Sequence, residues 1–301
     1  MNPPSSSQTT DSKKWYPLDI IQWTSDYFKS KDIPNPRLDA ELLLAHVLKC
    51  SRIDLYVHFK KEVSLSQREL YKELIQRRYH REPLQYITGV QEFFGLSFLT
   101  NPSVLIPRPE TELMIEIAKK ILTNVEEKYS LLDIGTGSGC LAITLAKEFP
   151  HSTMMATEIS KEALAVAQKN AERNQIENID FVLTDLSPKL SLKAAQHRFD
   201  MIVSNPPYIA RSDFDTLQPE VRDYEPRLAL DGGHNGLDFY PRILQDATEL
   251  LKDNGWLLLE IGAGQVEKIK KLIDLTESFS NTECVNDYHD IPRILKTKRS
   301  V

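Results

Sequence analysis

Beyond Ser130 the chain alternates short apolar runs with longer stretches whose apolar residues recur at helical spacing. Strand, helix, strand, helix in succession is the signature of a mostly parallel sheet with helices on both faces. Strands are expected over Leu131–Ile134, Met154–Thr157, Ile179–Leu183, Asp200–Ser204 and Trp256–Ile261. Glu283–Val285 and Arg293–Thr297 then supply the last strands as an antiparallel hairpin. Helices are expected after the first strand, on Leu141, Ile143, Leu145 and Ala146, and over Tyr240–Lys252 and Gly262–Phe279. Residues 209–239 read as a long loop, the length of a substrate-facing insertion.

Sheets of this kind bind ligands at the carboxyl ends of their strands. The first strand ends in Gly135-Thr136-Gly137-Ser138-Gly139-Cys140, where glycine permits positive φ and close approach of a ligand to the backbone. No lysine follows to make a Walker loop. A nucleophile elbow around Ser138 would need glycines where Thr136 and Cys140 stand. The dinucleotide fingerprint fails as well, because the third glycine comes one residue early. Alone, such a loop is a weak signal.

Two carboxylates strengthen it. Glu158 ends the second strand about 20 residues past the loop, where an acid can accept hydrogen bonds from both ribose hydroxyls. The third strand ends at Thr184-Asp185-Leu186, where a carboxylate can accept from an adenine amine and Leu186 can lie against the base. Singly, each acid also fits a solvated strand end or a helix cap. The fourth strand stops at Asn205-Pro206-Pro207-Tyr208. A Pro-Pro pair donates nothing to a sheet and drives the preceding residue out of helical geometry. The result is a stiff turn holding an amide, a bare carbonyl and an aromatic ring in fixed relative positions.

The first third is different. Ile20, Trp23, Tyr27 and Phe28 share helical spacing. Asn35-Pro36 reads as an N-cap and first helical position for a helix bearing Leu38, Leu42, Ala45 and Leu48. Ser66-x-x-Glu69 reads as a capping box for a helix with Leu70, Leu74 and Ile75. The basic run Arg77-Arg78-Tyr79-His80-Arg81 at that helix's end reads as a solvated face. The expected organisation is a disordered tail (1–14), an all-α bundle (15–83), a β-hairpin linker (84–106) and an α/β domain (107–301). Ile106-Pro107-Arg108-Pro109-Glu110-Thr111-Glu112 leads into the α/β domain's opening helix, with Pro109 in its first turn and the acids at its positive end.

Composition removes several classes of function. Three scattered cysteines and seven scattered histidines suggest neither a disulfide framework nor a zinc site. No run approaches a membrane span, and the N-terminus lacks a secretory h-region, so a cytoplasmic setting is expected. A net charge of −6 argues against a broad nucleic-acid grip.

Asp133 to Gly139, Glu158, Asp185 and Asn205-Pro206-Pro207-Tyr208 resemble class I S-adenosylmethionine-dependent methyltransferases of the kind that act on a planar nitrogen. Asp39-Ala40-Glu41-Leu42-Leu43-Leu44, Arg81 to Gly89 and Leu105 to Glu112 are similar to the release-factor glutamine N5-methyltransferases (HemK/PrmC type). The likeness runs from about Trp15 to the C-terminus. It departs around Asn235, where the family more often has Asp, and at Pro241, where it more often has Arg.

The resemblance implies a Rossmann-like seven-stranded methyltransferase sheet, mostly parallel with an antiparallel last strand. It implies S-adenosylmethionine as co-substrate, no metal, and class 1 peptide chain release factors as protein substrates, with neither nucleic acid nor membrane as partner. Cofactor contacts fall on Asp133, Gly135, Thr136, Gly137, Ser138, Gly139, Glu158, Asp185, Leu186 and Asn205. Catalysis falls on Asn205, Pro206 and Tyr208, and substrate binding on those three with Pro207. On this reading the Asn205 side-chain oxygen and the Pro206 carbonyl accept from the glutamine amide, and the Tyr208 ring packs on its face. The same tetrapeptide can hold an exocyclic base amine of DNA or RNA, or a ribosomal-protein glutamine, and those substrates stand as alternatives.

Overall fold

The computed structural model describes residues 14–186 and 198–300, so the expected tail, save Lys14, lies outside the described residues. The chain divides into two compact units at Thr88/Gly89.

The first unit holds α1 (Pro17–Lys29), α2 (Pro36–Leu48), α3 (Asp54–Val57), α4 (Leu65–Tyr79) and α5 (Leu84–Thr88). Ile20, Ile21 and Phe28 of α1 pack with Ala40, Leu43, Leu44 and Val47 of α2 and with Tyr71, Leu74 and Ile75 of α4. The expected stripes are rotated: Trp23, Leu38 and Leu70 are exposed. The buried side of α2 also carries Asp39, whose Oδ2 accepts from Arg78 Nε at 2.7 Å with both side chains buried. Arg78 is therefore a core residue rather than part of a solvated basic face. The cap of α4 is Ser64, not Ser66: Gln67 N–H donates to Ser64 Oγ at 3.3 Å and Ser64 N–H to Gln67 Oε1 at 3.0 Å. Val63 decides this, because it is buried and its N–H bonds Trp15 O at 2.9 Å, which starts the turn earlier. Asn35 precedes α2 in left-handed geometry, without a side-chain cap.

The hairpin expected from residue 84 begins later. Pro83 O accepts from Tyr86 and Ile87 N–H, which makes residues 84–88 helical. The hairpin is β1 (Val90–Phe93) and β2 (Leu96–Leu99), joined by a two-residue turn with positive φ at Phe94 and Gly95. Phe93 and Phe98 are fully buried in the α/β core, so the hairpin packs as part of the second unit.

A 3₁₀ turn, Pro109–Thr111, leads into α6 (Glu112–Ile121). Then follow β3 (Ser130–Ile134), α7 (Cys140–Glu148), β4 (Thr153–Glu158), α8 (Lys161–Arg173) and β5 (Ile179–Leu183). After the undescribed stretch come β6 (Phe199–Ser204), α9 (Pro219–Arg222), α10 (Phe239–Leu250), β7 (Leu251–Glu260), α11 (Val266–Leu275), β8 (Phe279–Asn286) and β9 (Pro292–Arg299). The helix expected over Gly262–Phe279 is shorter. Gln265 Oε1 accepts from Gly262 N–H at 2.9 Å ahead of it, and Phe279 already starts β8.

The seven strands run in the order β5-β4-β3-β6-β7-β9-β8, all parallel except β9, which is antiparallel to both neighbours. Alternate side chains point to opposite faces. Leu131, Met201, Val203 and Leu258 go to one core with α6 and α7, and Leu132, Ile134, Ile202 and Leu257 to the other with α10 and α11. Register places the functional ends together. Ile134 lies opposite both Thr157 and Ser204, so Gly135, Glu158 and Asn205 leave the sheet at one edge. β3 and β6 are adjacent where the strand order reverses, the usual ligand position of such sheets.

Candidate active site

A cavity of about 440 Å³ opens at that edge. Asp133, Gly135, Thr136, Gly137 and Ser138 form one wall, and Glu158, Asp185 and Leu186 another. Asn205, Pro206 and Pro207 form a third, facing a segment that includes Leu105, Pro107, Arg108 and Thr111. Two of the expected residues are not on the wall. A Cβ on Gly139 (φ +83°) would stand 2.8 Å from Ile143 Cδ1 and 3.2 Å from Ala167 Cβ, so this glycine serves the contact of α7 with α8. Tyr208 turns its hydroxyl inward, 3.4 Å from Glu260 Oε1, instead of presenting its ring to the cavity.

The glycine loop is braced from below. Gly135 and Thr136 N–H both donate to Thr157 O, at 3.0 and 2.9 Å. Glu158 Oε2 accepts from Gly137 N–H at 2.9 Å, while its Oε1 accepts from Ile159 and Ser160 N–H, each at 2.9 Å. One carboxylate thus fixes two loops. Asn170 of α8, fully buried, donates to Ser138 O at 2.9 Å and accepts from Leu99 N–H at 2.6 Å, tying β2 to the loop. Asp133 is buried at the end of β3, with Oδ2 accepting from Thr136 Oγ1 at 2.7 Å and Oδ1 without a partner. Burial, with some repulsion from Glu158, pushes its carboxyl up to about 7. A buried acceptor that the fold leaves unsatisfied, in a cavity also lined by Glu158 and Asp185, fits a cationic ligand that brings its own donors.

At the far side Asp185 Oδ2 accepts from Arg242 Nη2 at 2.6 Å. Arg108 pairs with the buried Glu225, whose Oε2 also accepts from Ile106 N–H at 3.3 Å. The two Glu225 contacts pin the loop after β6 to the lead-in of α6. Asn205 Nδ2 donates to Thr111 Oγ1 at 3.2 Å, and Thr111 Oγ1 donates to Glu260 Oε2 at 2.6 Å. Gln265 Nε2 donates to Tyr208 O at 2.9 Å and to Gly236 O at 3.1 Å, stapling the Asn-Pro-Pro-Tyr backbone to the next turn. The departures from the family pattern are accommodated locally. Asn235 Oδ1 meets His234 Nδ1 at 2.8 Å, and Pro241 lies in the first turn of α10, where no helical donor is needed.

Sequence reasoning missed Thr111, Glu260, Gln265, Glu225 and Asn170. Glu260 carried a readable signal: it is the one carboxylate in the otherwise apolar run Trp256–Ile261. Among the described residues no three His, Cys, Asp or Glu side chains gather as a metal site, and no helix is long and apolar enough to cross a membrane.

The hMettl16 catalytic domain shares the architecture, with a TM-score of 0.56 at 20% identity over 74% of this chain and 81% of that one. A family model described as the methyltransferase small domain matches residues 111–233, and one described as the PrmC N-terminal domain matches residues 19–89. Fold and site together are those of an S-adenosylmethionine-dependent methyltransferase. A release factor glutamine methyltransferase of Geobacter sulfurreducens is 43% identical over 93% of this chain and 96% of its own length. One of Koribacter versatilis is 43% identical over 89% and 93%. The chain belongs to the release factor glutamine methyltransferase family.

Proposed function

We propose that the protein methylates the side-chain amide nitrogen (N5) of the glutamine in the Gly-Gly-Gln motif of class 1 peptide chain release factors. The observation that carries this reading is the state of Asn205. Its Nδ2 is taken up by Thr111, which leaves Oδ1 as an acceptor beside a cavity suited to a cationic methyl donor. S-adenosylmethionine, when bound, supplies an electrophilic sulfonium methyl group. Asp133, Glu158 and Asp185 would hold it through its amine, ribose and adenine groups, against the open backbone of Gly135 and Gly137.

A glutamine amide nitrogen is a poor nucleophile because its lone pair is delocalised into the carbonyl. Asn205 Oδ1 and Pro206 O each accept one of its N–H groups, which polarises both bonds and aims the nitrogen at the methyl carbon. The two prolines keep these acceptors in place, so little reorganisation is needed as charge develops. Placing the nitrogen in line near the methyl group contributes through orientation. As the nitrogen–methyl bond forms the sulfur–methyl bond breaks, the sulfonium leaving as the neutral thioether S-adenosylhomocysteine, and the nitrogen sheds one proton to solvent, so no side chain of the tetrapeptide has to act as a base. Tyr208 supports the turn from beneath, through Glu260, rather than stacking on the amide.

The test is mass spectrometry of a bacterial class 1 release factor incubated with the protein and S-adenosylmethionine. One added methyl on the Gly-Gly-Gln glutamine, lost in Asn205→Ala, is expected. Methylation of nucleic acid or of a ribosomal-protein glutamine instead, or full turnover by Asn205→Ala, overturns the proposal.

A further inference from the structure

An amide that acts through its oxygen must be prevented from presenting its NH2 instead. The two ends of an Asn side chain are nearly equal in size, so only hydrogen-bond partners choose between them. At Asn205 the choice is made two bonds away. Glu260 is fully buried, and its Oε2 receives the hydroxyl proton of the buried Thr111 at 2.6 Å. With its proton committed, Thr111 Oγ1 can only accept from Asn205. The group at 3.2 Å is therefore Nδ2, and Oδ1 is left for the substrate.

We infer that Glu260 is a positioning residue for methyl transfer, acting through Thr111 to fix which end of the Asn205 amide meets the glutamine nitrogen. This rests on the reading of Asn205 Oδ1 as the acceptor.

The relay has a polarity that protonation reverses. An ionised Glu260 accepts from Thr111 and from the Tyr208 hydroxyl. A protonated Glu260 donates to Thr111 Oγ1 instead. The threonine proton is then free to turn toward Asn205, which favours an oxygen there and swings the NH2 toward the substrate. Two donors then face each other and the clamp is lost. Burial pushes the Glu260 carboxyl up to about 7, with Glu110 adding to the rise while the Thr111 bond, Arg293 and the Tyr208 bond oppose it. Arg293 is itself held by Asp287 at 2.9 Å, the Tyr240 hydroxyl bonds the Glu260 carbonyl at 3.0 Å, and Cys140 senses the same carboxylate. Glu260 thus lies where a modest change in pH inverts the relay.

The experiment measures kcat and KM on a release factor, at saturating S-adenosylmethionine, from about pH 6 to about pH 8.5, spanning the value near 7 of Glu260. Wild type is expected to show kcat rising with pH through about 7. Thr111→Val, which keeps shape but breaks the relay, is expected to lower kcat by up to roughly 100-fold, the cost of misplacing a reacting group. It should also flatten the pH limb and leave KM for the release factor within about twofold. Glu260→Gln should flatten the limb too, while Thr111→Ser, which restores a hydroxyl, should restore the limb and most of the lost kcat. Thermal melts show which variants fold, and Thr111→Ser against Glu260→Gln decides the matter if Thr111→Val does not. If Asn205→Ala is inactive but Thr111→Val and Glu260→Gln keep the wild-type kcat and pH limb, the relay is wrong and the acceptor role of Asn205 survives. If Asn205→Ala is fully active, the acceptor role itself is wrong.

Discussion

Gly137 and Gly139, two residues apart in one loop, should fail in different ways when given a methyl group. At Gly139 the new Cβ would meet Ile143 Cδ1 at 2.8 Å, Ala167 Cβ at 3.2 Å and Ala167 Cα at 3.4 Å. The isoleucine tip can swing aside, but the Ala167 backbone belongs to α8 and cannot. Positive φ adds about 1–2 kcal/mol for an L-residue, and overpacking adds about 1–3 kcal/mol. A stiffer unfolded chain returns at most about 1 kcal/mol, so Gly139→Ala should cost about 2–4 kcal/mol. At Gly137 φ is +56° and nothing stands within 4 Å, so only the backbone penalty applies and the net cost should be about 1 kcal/mol. That methyl group lies on the cavity wall, where it should weaken S-adenosylmethionine binding about tenfold or more. Urea unfolding and calorimetric titration separate the two. The Gly139→Ala midpoint should fall by roughly 1 M with m unchanged, and Gly137→Ala should fall by less than half as much while binding poorly. Equal losses of stability in the two variants, or a Gly139→Ala midpoint matching wild type, would refute the close-packing argument.

Two further outcomes follow from buried charges. Asp133 binds its proton more tightly folded, at about 7, than its ordinary 3.8. Its protonation therefore stabilises the fold fully below pH 3.8, and that stability is lost as pH rises through about 7. Binding of the cationic methyl donor should run the other way, strengthening up to about tenfold per pH unit below 7, and Asp133→Asn should flatten that dependence in a titration series. In the first unit, Asp39→Ala removes the carboxylate paired with the buried Arg78 and should cost about 3 kcal/mol or more in chemical unfolding, whereas Asp39→Leu with Arg78→Met should recover most of that loss.

How far the site was legible in the sequence depended on chain distance. The carboxyl-edge residues could be read because each ends a strand whose apolar run announces it, and the parallel register then aligns Gly135, Glu158 and Asn205. The helical stripes were read less well. α2 has apolar residues on more than one side, and its buried side also carries Asp39, paired with Arg78 39 residues away. Likewise Gly139 and Tyr208 belong to motifs that touch ligand by pattern, yet packing against Ala167 and the pull of Glu260 give them other work.

The strand ends, the proline-stiffened turn and the residue types at the cavity edge were legible along the chain, because periodicity and turn chemistry act between near neighbours. Which end of the Asn205 amide meets Thr111 was settled by tertiary contacts alone. That choice needs Thr111, 94 residues away, and through it Glu260, a further 149 residues along the chain from Thr111. A side-chain amide has no preferred end until folding brings a donor or an acceptor against it, and no local pattern encodes which will arrive.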